Sequence, residues 1–336
     1  MKKVFIVWGR ELQLSQNLTK ALDMELKQFY FKENSIFLRL VFLRYVAQSI
    51  ATLVYLSKNK PKVILVQNPP VFASVTVLFF CWLSGSRMAI DSHTAAFLDK
   101  KWRFFFPLFK FVARRAIVNT CHNYKNLEIL KNWGISPAMV MQFDNPIYKQ
   151  NTLEQPILDL KLNKILENSK HPIMMVNRFA NDDDVETVIE TAKLLPKYTF
   201  YITGDSAEYQ NQKILQNMSP NIFLTGYLKH NEFLKLMWRC RVILAFTTRK
   251  DTVLWSIREI MALNKPYVTT DSDVLRYYHG ETGLFSKSNP EELKIRIEEA
   301  ERNKKTIKEK IEIFLKKDKE RWDKEIETLN SILNES

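Results

Sequence analysis

The chain has 336 residues, 46% of them hydrophobic and 26% charged, with a net charge of +13. That length suits two domains of about 150 residues, and the composition excludes a disordered or fibrous chain. Its three cysteines, Cys81, Cys121 and Cys240, form no close pair, which argues against a disulfide framework or a cysteine-built zinc site and fits a reducing compartment.

Lys3 to Val7 reads as a β-branched strand, and the polar Gly9-Arg10-Glu11 follows it closely, so no signal peptide is expected. Ile36 to Leu56 is long enough to span a bilayer but carries Arg39, Arg44 and Gln48. Arg44, Gln48 and Thr52 share one helical face, so this segment reads as an amphipathic helix. Val63 to Gln67 is a strand ended by Pro69-Pro70. The apolar run Val71 to Leu83 reads as a buried helix, too short at 13 residues for the ~20 a membrane span needs. Met88 to Ile90 and Ala116 to Asn119 are further strands. The stretch from Asn145-Pro146 to Gln155-Pro156 reads as a linker. A second alternating series follows, with strands at Pro172 to Val176, Thr199 to Thr203, Ile222 to Thr225, Val242 to Phe246 and Tyr267 to Thr269. Its helices fall at Val185 to Leu195, Asn231 to Trp238 and Leu254 to Leu263, and the charged stretch Glu291 to Glu335 is mostly helical.

Alternating strands and helices imply parallel sheets covered on both faces. The expectation is an α/β chain of two doubly wound, Rossmann-like domains facing a cleft: residues 1–150, residues 151–310, and a charged C-terminal helix over 311–336. Such sheets bind ligands at the carboxyl ends of their strands. There is no GxGxxG loop and no GxxxxGK[ST], and only 7 glycines in all, which disfavours a nicotinamide dehydrogenase or a P-loop ATPase.

The charge is unevenly placed. Residues 1–150 hold 21 Lys and Arg against 8 Asp and Glu, whereas residues 151–336 hold 29 of each. The first half is therefore expected to face a polyanion. Within it, Lys100 to Arg115 interleaves cations with Trp102, Phe104, Phe105, Phe106, Phe109 and Phe111. This is either a core helix with snorkelling cations or an interfacial patch on an anionic membrane surface. The membrane surface is the reading adopted. Nucleic acid is not expected as a partner, because no nucleic-acid motif accompanies the stretch.

Strand ends carry the candidate chemistry. Arg178 follows the strand Pro172 to Val176, where it can pair with a diphosphate or be a plain surface arginine. Gly204-Asp205 ends the next strand and allows close backbone approach, or is an ordinary turn. Gly226-Tyr227 ends the third, where backbone groups can read a nucleobase edge. After Phe246 comes the polar loop Thr247-Thr248-Arg249-Lys250-Asp251-Thr252 and then a helix. Asp251 and Thr252 stand at a phosphate- or sugar-binding helix start or act as its N-cap. Glu259 sits among Ile257, Ile260 and Met261, where a carboxylate can accept both hydroxyls of a ribose. In the first half, Asp91-Ser92-His93 follows a strand. His93 can exchange a proton while Asp91 orients it or acts as base, and Asn68 before Pro69-Pro70 shapes an acceptor site or a rigid turn.

The ordered stretches VNRFANDDDVETVIETAKLLPKYTFYITGD, NIFLTGYLKHNEFLKLMWRCRVILAFTTRKDT and REIMALNKPYVTTDSDVLR, with VILVQNPP and AIDSHTAAFLDKKWR before them, run from Val63 to Leu284. Together they resemble GT-B glycosyltransferases, in particular bacterial relatives of glycosyltransferase family four that serve polysaccharide assembly. The resemblance implies that Arg178 holds the donor phosphates, Gly226 and Tyr227 flank the base, Glu259 binds the ribose, and Asp251 with the amides after it contacts the sugar or phosphates. Three positions depart from the family pattern. Asp183-Asp184 stand where the family has Lys-Gly, so a phosphate-neutralising lysine is missing, and Arg249 or Lys250 is the compensating candidate. Leu254 replaces the usual Gly and Asp251 the usual Glu.

The resemblance implies transfer from a nucleotide sugar, a UDP- or GDP-sugar, to a lipid-linked acceptor in cell-surface polysaccharide synthesis. It implies no cofactor, and a cytoplasmic protein peripheral on the inner face of the membrane. Metal is not expected. The acids of Asp182-Asp183-Asp184 favour a helix start better than an ion, and GT-B enzymes hold the leaving diphosphate with positive side chains and amides. Two alternatives share the fold: a sugar-nucleotide epimerase or hydrolase, and an inactive glycan-binding or assembly subunit.

Overall fold

The computed structural model describes residues 2–9, 13–31, 41–135, 137–139, 153–154, 159–207 and 209–335. The linker expected between Asn145 and Pro156 falls almost wholly outside them. The chain forms two compact units, residues 1–144 with 319–336, and residues 145–318.

In the first unit the described elements are β1 (Lys3–Val7), α1 (Gln13–Ala21), β2 (Glu25–Gln28), α2 (Val41–Asn59), β3 (Val63–Asn68), α3 (Val71–Ser84), β4 (Arg87–Ser92) and α4 (Ala95–Leu98). They continue with α5 (Lys100–Arg103), α6 (Phe106–Ala113), β5 (Asn119–Cys121), α7 (Tyr124–Asn132) and β6 (Pro137–Met139). The six strands form one parallel sheet in the order β2-β1-β3-β4-β5-β6. Alternate residues of each strand point to opposite faces, so each face has its own core. Ile6, Ile64, Val66 and Ile90 meet α2, α3, α6 and α7 on one side. Phe5, Val7, Leu65 and Ala89 meet α1 and the end of the C-terminal helix on the other, through Leu18, Leu22, Trp322 and Leu329.

In the second unit come α8 (Leu160–Glu167), β7 (Pro172–Val176), α9 (Val185–Leu194), β8 (Thr199–Thr203), α10 (Gln212–Gln216), β9 (Ile222–Gly226), α11 (His230–Arg239), β10 (Val242–Ala245) and α12 (Ser256–Ala262). Then follow β11 (Tyr267–Thr270), α13 (Asp273–His279), β12 (Leu284–Ser286), α14 (Pro290–Arg302) and α15 (Lys304–Asn334), the last reaching into the first unit. Its sheet is also parallel, in the order β12-β11-β10-β7-β8-β9. The central strands are apolar throughout because helices cover both faces.

The structure corrects three expectations. The strand expected at Ala116–Asn119 is Asn119–Cys121, because the chain leaves α6 through a bend and Ile117 makes only single backbone bonds to β4 on the way. The helix expected from Leu254 starts at Ser256, behind a longer loop. The amphipathic helix is inverted: Gln48 and Thr52 face inward with Leu56, while Phe42, Val46, Ile50 and Val54 face solvent. Each buried polar side chain has a partner, since the Gln48 amide nitrogen donates to the Phe29 carbonyl at 2.7 Å and the Trp8 indole donates to the Thr52 hydroxyl at 2.9 Å. Ile36–Leu40 of that segment lie outside the described residues. No helix among the described residues is long and apolar enough to cross a membrane.

Candidate functional site

In the second sheet β7 runs to β8 and β9 on one side, and β10 returns to pair with β7 on the other. The β7/β10 boundary is thus the topological switch point, where such sheets open a crevice beyond their strand ends. A hollow of about 420 Å³ lies there, lined by residues that include Asn177 and Arg178 after β7, Gly204 and Asp205 after β8, Tyr227 and His230 after β9, and Glu259 on α12.

Gly204 is required by its backbone. Its φ is +102°, and a Cβ there would stand 2.7 Å from the Asn177 carbonyl oxygen and 2.9 Å from the Arg178 Cα. Its amide also donates to the Gly226 carbonyl at 3.1 Å, so Gly204 and Gly226 join neighbouring strand ends. Gly204→Ala is expected to displace the Asn177-Arg178 backbone and to weaken nucleotide binding by roughly tenfold or more. Calorimetry against UDP and GDP checks this.

Arg178 is largely exposed and pairs with Asp182 at 3.5 Å. Arg249, from the loop after β10, pairs with the same carboxylate at 3.1 Å. Asp182 therefore holds two guanidinium groups on either side of the switch point. The other two acids of that run have separate tasks. Asp183 accepts the backbone amides of Arg178 and Ala180, and Asp184 accepts the amide of Thr187 as N-cap of α9. The three carboxylates thus do not converge on one point. Asp271 likewise pairs with Arg276.

Glu259 is buried, and burial raises its carboxyl to about 7. His230 Nδ1 stands 3.7 Å from it, and burial lowers that imidazole below its usual value. The two groups therefore resist carrying charge inside the hollow. Asp251 and Thr252 do not line it. Asp251 has a φ of +56°, and the helix start lies beyond both, with Trp255 at the N-cap position. The N-cap role is thus excluded for both. Thr252 instead donates to the Lys250 carbonyl at 3.3 Å.

A second cluster belongs to the first unit. Asp91, at the end of β4, is buried and accepts the Thr120 hydroxyl at 2.6 Å. His93 Nε2 lies 3.1 Å from one of its oxygens and His122 Nε2 3.0 Å from the other. Burial alone pushes Asp91 upward, but the charges and hydrogen bonds of His122 and His93 overcome it and hold the carboxyl well below its usual range. A carboxylate that receives Nε2–H of His93 leaves Nδ1 as the accepting atom of that ring. The backbone amide of His93 donates to the Asn68 carbonyl at 2.8 Å, so Asn68 belongs to this cluster through its backbone while its side chain is buried. Ligand atoms of Asp91, His93 and His122 all lie within 4.8 Å of one another, close enough to hold a metal ion, although both Nε2 atoms already face the carboxylate.

Sequence reasoning passed over His122, Asn177 and His230. His122 directly follows β5, the neighbour of β4, so only strand pairing reveals its nearness to Asp91. Asn177 is buried, lines the hollow, and neither polar atom of its side chain has a partner among the described residues. Its place one residue before Arg178 at a strand end was the signal available.

Residues 170–303 match the family model described as glycosyl transferases group 1. No curated protein matches the chain in sequence. Among solved structures, sucrose-phosphate synthase from Thermosynechococcus elongatus is similar, with a TM-score of 0.71 at 13% identity over 99% of this chain and 98% of that one. Anabaena HepE, solved with UDP-glucose, gives the same TM-score of 0.71 at 13% identity, again over 99% and 98%. A protein of Listeria monocytogenes provisionally described as a UDP-N-acetylglucosamine 2-epimerase gives 0.63 at 12% identity, over 93% and 91%. These likenesses are in fold. The hollow lies inside the matched residues: 170–303 form a glycosyl transferase group 1 domain, and the chain has the GT-B fold.

Proposed function

We propose that the chain transfers a sugar from a UDP- or GDP-sugar to a lipid-linked acceptor in cell-surface polysaccharide synthesis, from the inner face of the membrane. One observation carries the donor assignment: the hollow at the switch point of the second sheet brings Arg178, Gly204, Asp205, Tyr227 and Glu259 to one place. Arg178, joined through Asp182 to Arg249, supplies the positive charge for a diphosphate. The exposed ring of Tyr227 offers a face for the base, and the Glu259 carboxylate accepts the ribose hydroxyls. Asn177, with an unpartnered amide on the hollow, adds a donor and an acceptor to the same ligand. The solved HepE structure with UDP-glucose, similar in fold, supports a nucleotide sugar as the ligand.

In the first unit Asp91 fixes the tautomer of His93, and His93 Nδ1 takes the proton of an acceptor hydroxyl. The lipid link of the acceptor rests on the cationic first half and its aromatic stretch. The test is turnover of UDP- and GDP-sugars with and without lipid-diphosphate acceptors in anionic vesicles. Transfer that needs the acceptor and falls roughly ten- to a hundredfold in Arg178→Ala supports the proposal. Unchanged turnover in that variant removes the donor assignment. The epimerase-like neighbour favours a second reading, epimerisation or hydrolysis of the donor. Consumption of donor alone, without acceptor or vesicles, supports that reading instead.

A further inference from the structure

Among the described residues of the first unit, every exposed large apolar side chain except Tyr30 lies on one helical layer, the face of α2, α3 and the α5–α6 segment turned away from the sheet. On α2, Phe42, Val46, Ile50 and Val54 follow each other at one-turn spacing, opposite the buried Gln48, Thr52 and Leu56. On α3, Phe79, Trp82 and Leu83 share one face near its end. In the second unit the exposed large apolar residues, Leu194, Tyr227, Tyr277, Ile295 and Ile313, are scattered over separate elements.

The stripe is continuous. Tyr45 meets Phe72 at 5.1 Å between ring centres and Ser49 meets Thr76 at 3.0 Å, so α2 and α3 run side by side in parallel. That register brings the Val54 end of α2 alongside the Phe79–Leu83 end of α3. Trp82 then meets Phe111 of α6 at 6.4 Å, and the Arg115 guanidinium lies 3.7 Å above the Phe111 ring. The charges of the layer have one sign. Val41–Asn59 and Val71–Ser84 contain no Asp or Glu, and exposed Lys100, Lys101, Arg103, Arg114 and Arg115 flank the aromatic residues of the third segment.

We infer that this layer is the surface by which the protein lies on an anionic bilayer, with the α2 stripe and the Phe79–Leu83 end of α3 entering the acyl boundary and the α5–α6 cations meeting the headgroups. An apolar face bordered by Lys and Arg and carrying Trp and Phe has the form of an interfacial element. A second copy of the chain would set the same cations against each other, whereas anionic lipid complements them. This deepens the peripheral reading of the first unit and is independent of the donor site. It also moves the membrane contact from the Lys100–Arg115 stretch alone to a surface built chiefly on α2 and α3.

The test is co-sedimentation of the full chain with vesicles of phosphatidylglycerol and phosphatidylcholine, compared with phosphatidylcholine alone. Wild type is expected to bind the anionic vesicles more tightly, with binding that weakens as salt rises. Ile50→Asp and Leu83→Asp, both at exposed positions, are expected to lower binding roughly tenfold or more, while Ile295→Asp in the second unit leaves it unchanged. Leu83→Ser and Ile50→Ser serve if an aspartate variant fails to fold, and nucleotide calorimetry shows that each variant keeps its donor site. Absence of vesicle binding, or equal binding by all variants, overturns the inference. So does a wild-type dimer in vesicle-free ultracentrifugation that Ile50→Asp dissociates without vesicle binding, since the face then serves self-association. Because the readout is vesicle binding and not turnover, failure here leaves the donor assignment standing, and failure of the donor assignment leaves this result interpretable.

Discussion

Glu259→Gln is expected to make the protein more stable at pH 8 while weakening its binding of UDP or GDP. In the folded chain burial raises this carboxyl from 4.5 to about 7. The native state therefore holds the proton more tightly than the unfolded chain. The stability linked to that proton is fully present below about 4.5 and is lost as the pH rises through about 7. The loss amounts to about 3 kcal/mol when the carboxylate is fully ionised. Glutamine stays neutral and does not incur it, so the variant gains up to about 3 kcal/mol at pH 8 and little at pH 4. Binding moves the other way. Ribose hydroxyls donate to the ionised group, so wild-type affinity is expected to fall about tenfold per pH unit below about 7. In Glu259→Gln the affinity is lower by roughly ten- to a hundredfold at pH 8 and loses this pH dependence. Unfolding midpoints and calorimetry at pH 6 and 8 measure both effects. A destabilised variant, or one with wild-type pH dependence of binding, contradicts the assignment.

Asp318→Ala is expected to destabilise the second unit by about 3–5 kcal/mol. Arg258, next to Glu259 on α12, is fully buried and donates to the Asp318 carboxylate on α15, with its guanidinium 5.8 Å above the Phe314 ring. Removing the carboxylate leaves a buried cation without its counter-charge, which costs more than the net worth of the pair. The double variant Arg258→Met with Asp318→Leu is expected to regain most of the loss, because neither charge then needs burial. Denaturant unfolding distinguishes the two. A double variant as unstable as Asp318→Ala would show that the pair is not the main contribution. The position matters for function because this contact anchors the helix that carries Glu259.

Much of the fold is legible in the sequence for a physical reason. A parallel strand covered on both faces must be apolar along its length, so KVFIV, PIMMV and TFYIT at β1, β7 and β8 announce themselves. The edge strands do not. ELKQ at β2 is short, polar and only partly buried, and β6 and β12 have three residues each. The site shows the same division. Arg178, Gly204 and Tyr227 follow strands visible in the sequence, so their gathering at one end of a sheet follows from strand order. His122 meets Asp91 only through the β4–β5 pairing, and the loop after β10 carries Asp251 and Thr252 away from the hollow. For α2 the periodicity was right and the direction was not. Polar residues that find hydrogen bonds to Phe29 and Trp8 can face the core, and nothing in a single sequence shows those partners.

Titration calorimetry of UDP and GDP against the full-length protein and Arg178→Ala, at pH 8 and low salt, bears most directly on the central claim. Saturable binding of one nucleoside diphosphate, weakened roughly ten- to a hundredfold when the guanidinium is removed, is the predicted result. Equal affinity in both proteins, or no binding of either nucleotide by the wild type, would contradict the claim that the second unit's hollow holds the donor.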